Sequence, residues 1–465
     1  MIFSEENFAA DSKGRTEFRI PSVGNLIMQL EKYNDDCAMN LPFAIKMREK
    51  IDAERLENAL NRVIAENDVL RVVACHRKSV AAEDECFDNL EGIFMSSGSD
   101  DGGTEGIRVR FLKEYHYSLT VREVEGKTYV ERVRNALQTV NSDIRTRMDI
   151  ESNIPARLKV YRVDENEYWI VFYMQHYVCD PPTLAMYMRA VFGYYLNPDA
   201  PQIFGTEASY MDYLSETENF ENTAEGYRAQ EFWEKEYSDY SPVVLERKTA
   251  ADREEMPKGF LFDRDRLSVI AKNYHTSIFN VVMLIFHLAY CRIYSEDTSV
   301  SFAVNGRREK KYQTVMGCFT EVVSSRLKIE REMTFTELHS ALRRSISKAT
   351  EHSSPHLNYN SPFIISYQDR RGLTGNGSLP ESPELDLSYL LPPGIAFTLA
   401  EIDDTVEGSA VMDTGYYSGR DVRDIVDVCM QIQDMLPESR DGMTAGELLD
   451  RITVPDGIAV ESIEI

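Results

Sequence analysis

Apolar and polar residues follow two different periods along this chain, and the clearest stretch is residues 168 to 178. Tyr168-Trp169-Ile170-Val171-Phe172-Tyr173-Met174-Gln175-His176-Tyr177-Val178 is β-branched or aromatic at both parities of a period-two pattern, which predicts a strand buried on both faces. The alternation places His176 on the same side as Phe172 and Met174. Pro181 and Pro182 end the strand, and a proline disfavours helical backbone in the residue before it, so Asp180 is predicted in an extended turn. Thr183 to Tyr195 then carries Leu184, Met188, Val191 and Phe192 on one face of a predicted helix. The order is strand, His/Asp turn, helix.

The same reading places the other elements. Asp52 is positioned to cap a helix from Ala53 to Glu66 with Leu56, Leu60, Val63 and Ile64 as its buried stripe. Val69 to Ala74 and Ile107 to Tyr117 read as strands around an acidic, Ser- and Gly-rich excursion at 79–106, with its tip at Ser97 to Gly103. Tyr129 to Met148 reads as helix, and Ala156 to Val178 as two strands turning at Asp164 to Glu167. Residues 196–222, opening Leu196-Asn197-Pro198-Asp199-Ala200-Pro201, are the predicted linker between domains at 1–195 and 223–465. Past it, helices are predicted at 224–237, 264–274, 277–294, 335–350 and 418–435. Strands are predicted near 243 and 260 and at 298–304, 317–328, 362–368, 395–402 and 407–416, with a Gly/Pro/Ser-rich loop at 370–394. Two mixed α/β halves of similar size point to a structural duplication, although no sequence repeat is visible.

Composition narrows the function. A chain of 465 residues is long enough for two or three domains at roughly 100–200 residues each. Its 77 acidic and 51 basic residues leave a formal charge of −26, which opposes broad attraction to nucleic acid or to an anionic membrane. The seven cysteines are scattered without C-x-x-C spacing, as in a protein of reduced thiols, and predict a cytoplasmic setting and no metal site. Met1 to Glu6 lacks the basic and apolar pattern of a signal peptide. Ile278 to Tyr294 is broken by Asn280, His287 and Arg292 and is short of the roughly 20 residues a membrane span needs, so it reads as a buried helix.

Among eight histidines, His176 alone stands beside a turn carboxylate in a context suited to acyl transfer. On local pattern a histidine ending an apolar strand is more often a satisfied core residue than a catalytic one. Wider spacing changes the weighting. The turn Gln175-His176-Tyr177-Val178-Cys179-Asp180-Pro181 resembles His-His-x-x-x-Asp-Gly, the central motif of condensation domains of non-ribosomal peptide synthetases, within the wider family of CoA- and carrier-dependent acyltransferases. Asn67-Asp68-Val69-Leu70-Arg71 is similar to that family's Arg-His-x-x-Leu-Arg. Tyr210-Met211-Asp212-Tyr213 with Phe232-Trp233 is similar to its Tyr-x-Asp-Tyr…Tyr-Trp. Asn305-Gly306-Arg307 with Met316-Gly317-Cys318-Phe319 is similar to its Gly-Arg…Ile-Gly-x-Phe. The likeness runs from about residue 20 to 450.

The resemblance implies two chloramphenicol-acetyltransferase-like lobes in a V-shaped pseudo-dimer around a central tunnel, with a floor loop at 306–322 and a latch at 370–390. It implies His176 as the catalytic residue, because a neutral imidazole of ordinary pKa near 6.5 can take a proton from an amine or alcohol. It implies Asp180 as a structural carboxylate paired with Arg307, against the alternative that Arg307 is one more solvated charge in the run Arg307 to Lys311. Gln175 replaces the first histidine and can support the turn, since an amide both donates and accepts. Gly317 and Glu321 are the candidate substrate-binding residues. Glu321 stands where the family often has Asn and would either hold an ammonium group or form an internal salt bridge. Pro181, in place of glycine, adds bulk and removes an N–H where close backbone approach is expected. No role is carried onto His352 or His356.

The implied protein is a free-standing monomer without a bound cofactor. It would receive phosphopantetheine thioesters from carrier proteins in trans, or CoA thioesters, and form an amide with a small-molecule amine acceptor. An O-acyltransferase acting on an alcohol, and a catalytically silent relative that recruits a partner protein, are the alternatives. Carriers are generally acidic, so Arg307 to Lys311, Arg343-Arg344 with Lys348, and Arg370-Arg371 are either docking patches or ordinary solvated faces.

Overall fold

The computed structural model describes residues 3–33, 38–75, 108–241, 243, 259–356, 361, 363–369, 381–383, 385, 394–402, 404–412, 417–436 and 443–454. The expected excursion at 79–106, most of the latch and Arg370-Arg371 lie outside them. Among the described residues, thirteen strands fall into three sheets, interleaved with helices. Strands β1 (Phe18–Arg19), β3 (Val72–Cys75) and β4 (Arg108–Phe111) form a three-stranded sheet in the order β1-β4-β3. Strands β2 (Asn40–Met47), β5 (Val121–Glu123), β6 (Ala156–Asp164) and β7 (Glu167–Gln175) form a sheet in the order β2-β7-β6-β5. The largest sheet, β10-β9-β11-β12-β13-β8, takes β8 (Phe260–Asp263), β9 (Asp297–Asn305), β10 (Thr320–Lys328), β11 (Phe363–Asp369), β12 (Ile395–Ile402) and β13 (Thr405–Met412). In it β9, β11 and β12 run parallel and the other pairs antiparallel, so the protein is mixed α/β.

Both faces of the β6–β7 hairpin are buried, as its double apolar pattern requires. Leu158, Val160, Ile170, Phe172 and Met174 enter the main core of the first 214 residues. Tyr161, Val163, Trp169, Val171 and Tyr173 face the opposite way, onto Ala136, Val140 and Ile144 of helix Tyr129–Arg145. A separate core fills the region from Ala229 to Ile452, centred on the almost wholly buried helix Ile278–Ile293. No single helix among the described residues is long and apolar enough to cross a membrane.

Several boundaries differ from the sequence reading. Asp68–Arg71 is a 3-10 turn, so β3 starts only at Val72. β10 starts at Thr320 rather than 317, and Val243 is not in a strand. Helix Ser22–Tyr33 and strands β2 and β5 were not anticipated. The predicted linker carries a helix, Tyr210–Thr217, opened by a Ser209/Asp212 capping box. Tyr210 and Tyr213 of that helix are buried, and they join the core of the first 214 residues together with Tyr312, Val315, Met316, Cys318 and Phe319. A segment distant in sequence therefore completes the N-terminal core.

Candidate active site

The turn after β7 departs from strand geometry at its first residue. β7 ends at Gln175, and His176–Val178 forms a 3-10 turn, so the period-two parity that put His176 beside Phe172 and Met174 stops one residue short of it. Tyr177 and Val178 bury themselves instead. The His176 N–H donates to the Met39 carbonyl at 2.7 Å, and its own carbonyl accepts from the Cys179 N–H at 3.2 Å. The imidazole is half-buried, and Nδ1 is buried without a hydrogen-bond partner in normal geometry. Burial lowers the ring's pKa below the ordinary 6.5, and the opposing attraction of Asp180 is smaller. His176 is therefore neutral at pH 7, the state in which a ring nitrogen can accept a proton.

Asp180 is extended (φ −115°, ψ 167°), as the following proline dictates, and caps helix Pro181–Leu196 by accepting the Thr183 N–H at 2.9 Å. Pro181 sits in the first turn of this helix, where a missing N–H leaves nothing unsatisfied and the fixed φ suits the backbone. Its ring is exposed. The local geometry thus absorbs the residue that departs most from the motif.

Asp180 is also the centre of a buried network reaching the 306–319 segment. Arg307 donates from Nη1 to Oδ2 at 2.6 Å and from Nη2 to Oδ1 at 3.0 Å. The Phe319 N–H donates to Oδ2 at 3.0 Å. Arg307 further donates to Thr183 Oγ1, Gly317 O and Val315 O, and its guanidinium lies 4.2 Å from the centre of the Phe319 ring. Thr183 Oγ1 donates to Gly317 O at 2.6 Å and accepts the Gly317 N–H at 2.8 Å. A side chain at Gly317 would run into the Tyr210 ring.

The two residues expected to face a substrate have their polar groups engaged by protein partners. Gly317 uses its N–H and carbonyl as just described. Glu321 is 3% exposed and accepts from Arg308 Nη2 at 2.6 Å; Arg308 also bonds the Ser353 carbonyl and hydroxyl. Burial raises the Glu321 pKa, against the pull of Arg308. Of its two alternatives, the internal salt bridge is the one formed. Gln175 is fully buried and donates from Nε2 to Glu31 Oε1 at 3.2 Å. Glu31 was missed by the sequence reading. Its signal was present, since Val23, Ile27 and Glu31 recur every four residues, which sets a carboxylate in line with an apolar stripe.

Of the remaining motif segments, Asp68 and the Tyr210 to Tyr213 run meet the 317–319 stretch, whereas Trp233 lies in the C-terminal core. Asp68 accepts the N–H groups of Tyr210 and Met211 at 3.1 and 2.9 Å, and Tyr210 donates its hydroxyl hydrogen to the Cys318 carbonyl at 3.2 Å. Tyr213 packs on Phe319 with ring centres 4.3 Å apart. Trp233 donates to the His352 carbonyl at 2.9 Å. Among the described residues no group of His, Cys, Asp and Glu is arranged to hold a metal ion.

The model of the condensation domain matches residues 102–359, more than half of the chain. The chain belongs to the condensation-domain family. Bacitracin synthase 3 of Bacillus licheniformis is 22% identical over 323 residues; the match covers 67% of this chain but only 4% of that synthase. Two solved structures share the fold. The X-domain in complex with OxyB from teicoplanin biosynthesis superposes with a TM-score of 0.69 at 14% identity, covering 94% of this chain and 96% of that one. The SgcC5 protein of Streptomyces globisporus, solved with (R)-(-)-1-(2-naphthyl)-1,2-ethanediol and sucrose, gives 0.62 at 16% identity over 87% and 94%.

Proposed function

We propose that this condensation domain is an acyltransferase that forms an amide between a carrier-bound acyl or aminoacyl thioester and a small-molecule amine, with His176 as its catalytic base. The observation that carries the reading is His176 itself: a half-buried, neutral imidazole at the family motif, on a turn anchored by its own backbone and by the Asp180–Arg307 pair. As the amine nitrogen attacks the thioester carbonyl carbon, the imidazole takes the amine proton. Collapse of the tetrahedral intermediate breaks the C–S bond, and the imidazolium returns that proton to the departing thiolate. Asp180, Arg307 and Gln175 hold the turn and do not touch the reacting atoms.

Carrier delivery is supported by charge. Of the three basic runs, Arg307 to Lys311 is largely spent inside the protein, with Arg307 on Asp180, Arg308 on Glu321 and Lys311 on Glu216. Arg343, Arg344 and Lys348 on helix Phe335–Glu351 are exposed and form no ion pair among the described residues, which leaves them to meet an acidic carrier.

The test is intact-mass analysis of an acyl-loaded carrier, supplied in trans with a panel of amines and alcohols. Loss of the acyl group with appearance of a hydroxylamine-stable product, abolished in His176→Ala with unchanged circular dichroism, is the expected result. Full activity in His176→Ala overturns the assignment. A hydroxylamine-labile product would make the enzyme an O-acyltransferase. A stable complex with a carrier or tailoring enzyme, without turnover on any thioester, would make the domain a recruitment module.

A further inference from the structure

We infer that Glu31 is a positioning residue for His176, acting as a hydrogen-bond acceptor that seats the catalytic turn on helix Ser22–Tyr33. This rests on the catalytic reading of His176 given above. Glu31 is 8% exposed, and a single oxygen, Oε1, accepts from two groups that flank the histidine. One is the Gln175 side-chain amide at 3.2 Å, on the residue directly before His176. The other is the Met39 N–H at 3.1 Å, on the residue whose carbonyl takes the His176 N–H at 2.7 Å. The carboxyl group thus fixes both the chain leading into the histidine and the backbone that holds it.

The same helix touches the turn a second time. Gly24, two helical turns before Glu31, lies against the Tyr177 carbonyl, and a Cβ there would stand 2.6 Å from that oxygen. Ser22, at the helix start, donates its N–H to the Pro355 carbonyl at 2.7 Å. The turn carrying His176 is therefore pressed against a helix whose near end is tied to residue 355 and whose far end grips residue 175. Misplacing a catalytic group by about 1 Å costs on the order of a hundredfold in rate, so the grip has kinetic consequences without any contact to substrate.

An accepted hydrogen bond, rather than negative charge, is what this geometry requires. Burial raises the Glu31 pKa, against the hydrogen bonds from Gln175 and Met39 and the nearby charge of Arg147. Gln at this position would present the same accepting oxygen.

The experiment compares Glu31→Ala and Glu31→Gln in the full chain, with kcat and KM from acyl-carrier consumption and with 15N NMR of the histidine rings, the His176 signals being assigned by their loss in His176→Ala. Glu31→Ala is expected to lower kcat by roughly tenfold or more with KM within about threefold, and to move the His176 ring signals. Glu31→Gln is expected to keep kcat within about threefold and leave those signals in place. Parental kcat and ring signals in Glu31→Ala overturn the inference, as does a Glu31→Gln variant as impaired as Glu31→Ala. Should Glu31→Ala fail to fold, Gln175→Leu, which removes only the amide partner, must reproduce the kcat loss and the ring shift; a parental result overturns the inference. If no acyl transfer is found in the parent, the ring signals still report on Glu31, so failure of the catalytic reading and failure of this one are separable.

Discussion

Asp180 and Arg307, 127 residues apart, are joined by hydrogen bonds of 2.6 and 3.0 Å between side chains that are 1% and 2% exposed. Removing one member of such a pair leaves an uncompensated buried charge, at a cost of about 3–5 kcal/mol. Asp180→Ala and Arg307→Ala are each expected to lose that much in urea denaturation, together with their activity. Arg307→Lys should recover little, because one ammonium cannot reproduce the fork that bonds Asp180, Thr183 and Gly317. Parental stability in Arg307→Ala would remove the brace from this account.

The pH dependence of turnover follows from the direction of the His176 shift. Burial holds its pKa below 6.5, so the base form predominates at neutral pH. kcat/KM is expected to be flat from about pH 7 to 8 and to fall only on the acid side of the ordinary histidine value of about 6.5. An acid limb centred above pH 7 would contradict the assignment of His176 as base.

His339 sets a pH limit on stability rather than on catalysis. It is 5% exposed, neither ring nitrogen has a partner, and it lies 4.4 Å from the Tyr274 ring; burial pushes its pKa down to about 4. Below the unfolded value near 6.5 the unfolded chain binds a proton that the folded chain refuses, so stability is full above that pH and falls toward pH 4. At pH 5 the loss from this group is on the order of 2 kcal/mol. His339→Phe should narrow the gap in melting temperature between pH 7.5 and 5; an unchanged gap would show that the ring is protonated in the fold.

Charge reversal at Arg343 and Arg344 tests carrier docking. The double Glu variant should raise KM for an acyl-carrier by about tenfold and leave kcat in place, with the difference shrinking at high salt. An unchanged KM at low salt would move the docking surface elsewhere.

Pro181→Gly tests the departure from the family motif. Proline in the first helical turn stabilises by restricting the unfolded chain, so the variant should lose about 0.5–1 kcal/mol and keep turnover within about threefold. A gain of more than about tenfold in kcat would show that the exposed ring obstructs substrate approach.

Much of this was legible in the chain because it is governed by local rules. Asp52 caps Ala53–Glu66, the β6–β7 hairpin turns between Asp164 and Glu167, and the proline after Asp180 holds that residue extended. Periodicity, capping and proline sterics act over a few residues and need no partner. Part of what escaped was marginal by those rules, since β5 has three residues and Tyr210–Thr217 is short and surrounded by loop-forming composition, but the 12-residue helix Ser22–Tyr33 and the eight-residue β2 carried ordinary patterns and were missed. The Tyr210–Thr217 helix is held by Asp68, a contact across 142 residues that no local pattern contains.

The sequence by itself determined most of the mixed α/β elements and the extended backbone of Asp180 through steric and periodic constraints along the chain; it did not determine the break of β7 before the histidine, since the apolar pattern runs on to Val178. The spacing of its degenerate motifs also marked the family. Only the tertiary structure decided what each polar group binds. It gave Glu321 to Arg308, closed Gly317 between Thr183 and Tyr210, set Glu31 under Gln175, and formed the Asp180–Arg307 pair that the resemblance implied. The reason is that a buried polar group must find a partner, and which partner lies within 3 Å depends on packing between segments far apart in the chain.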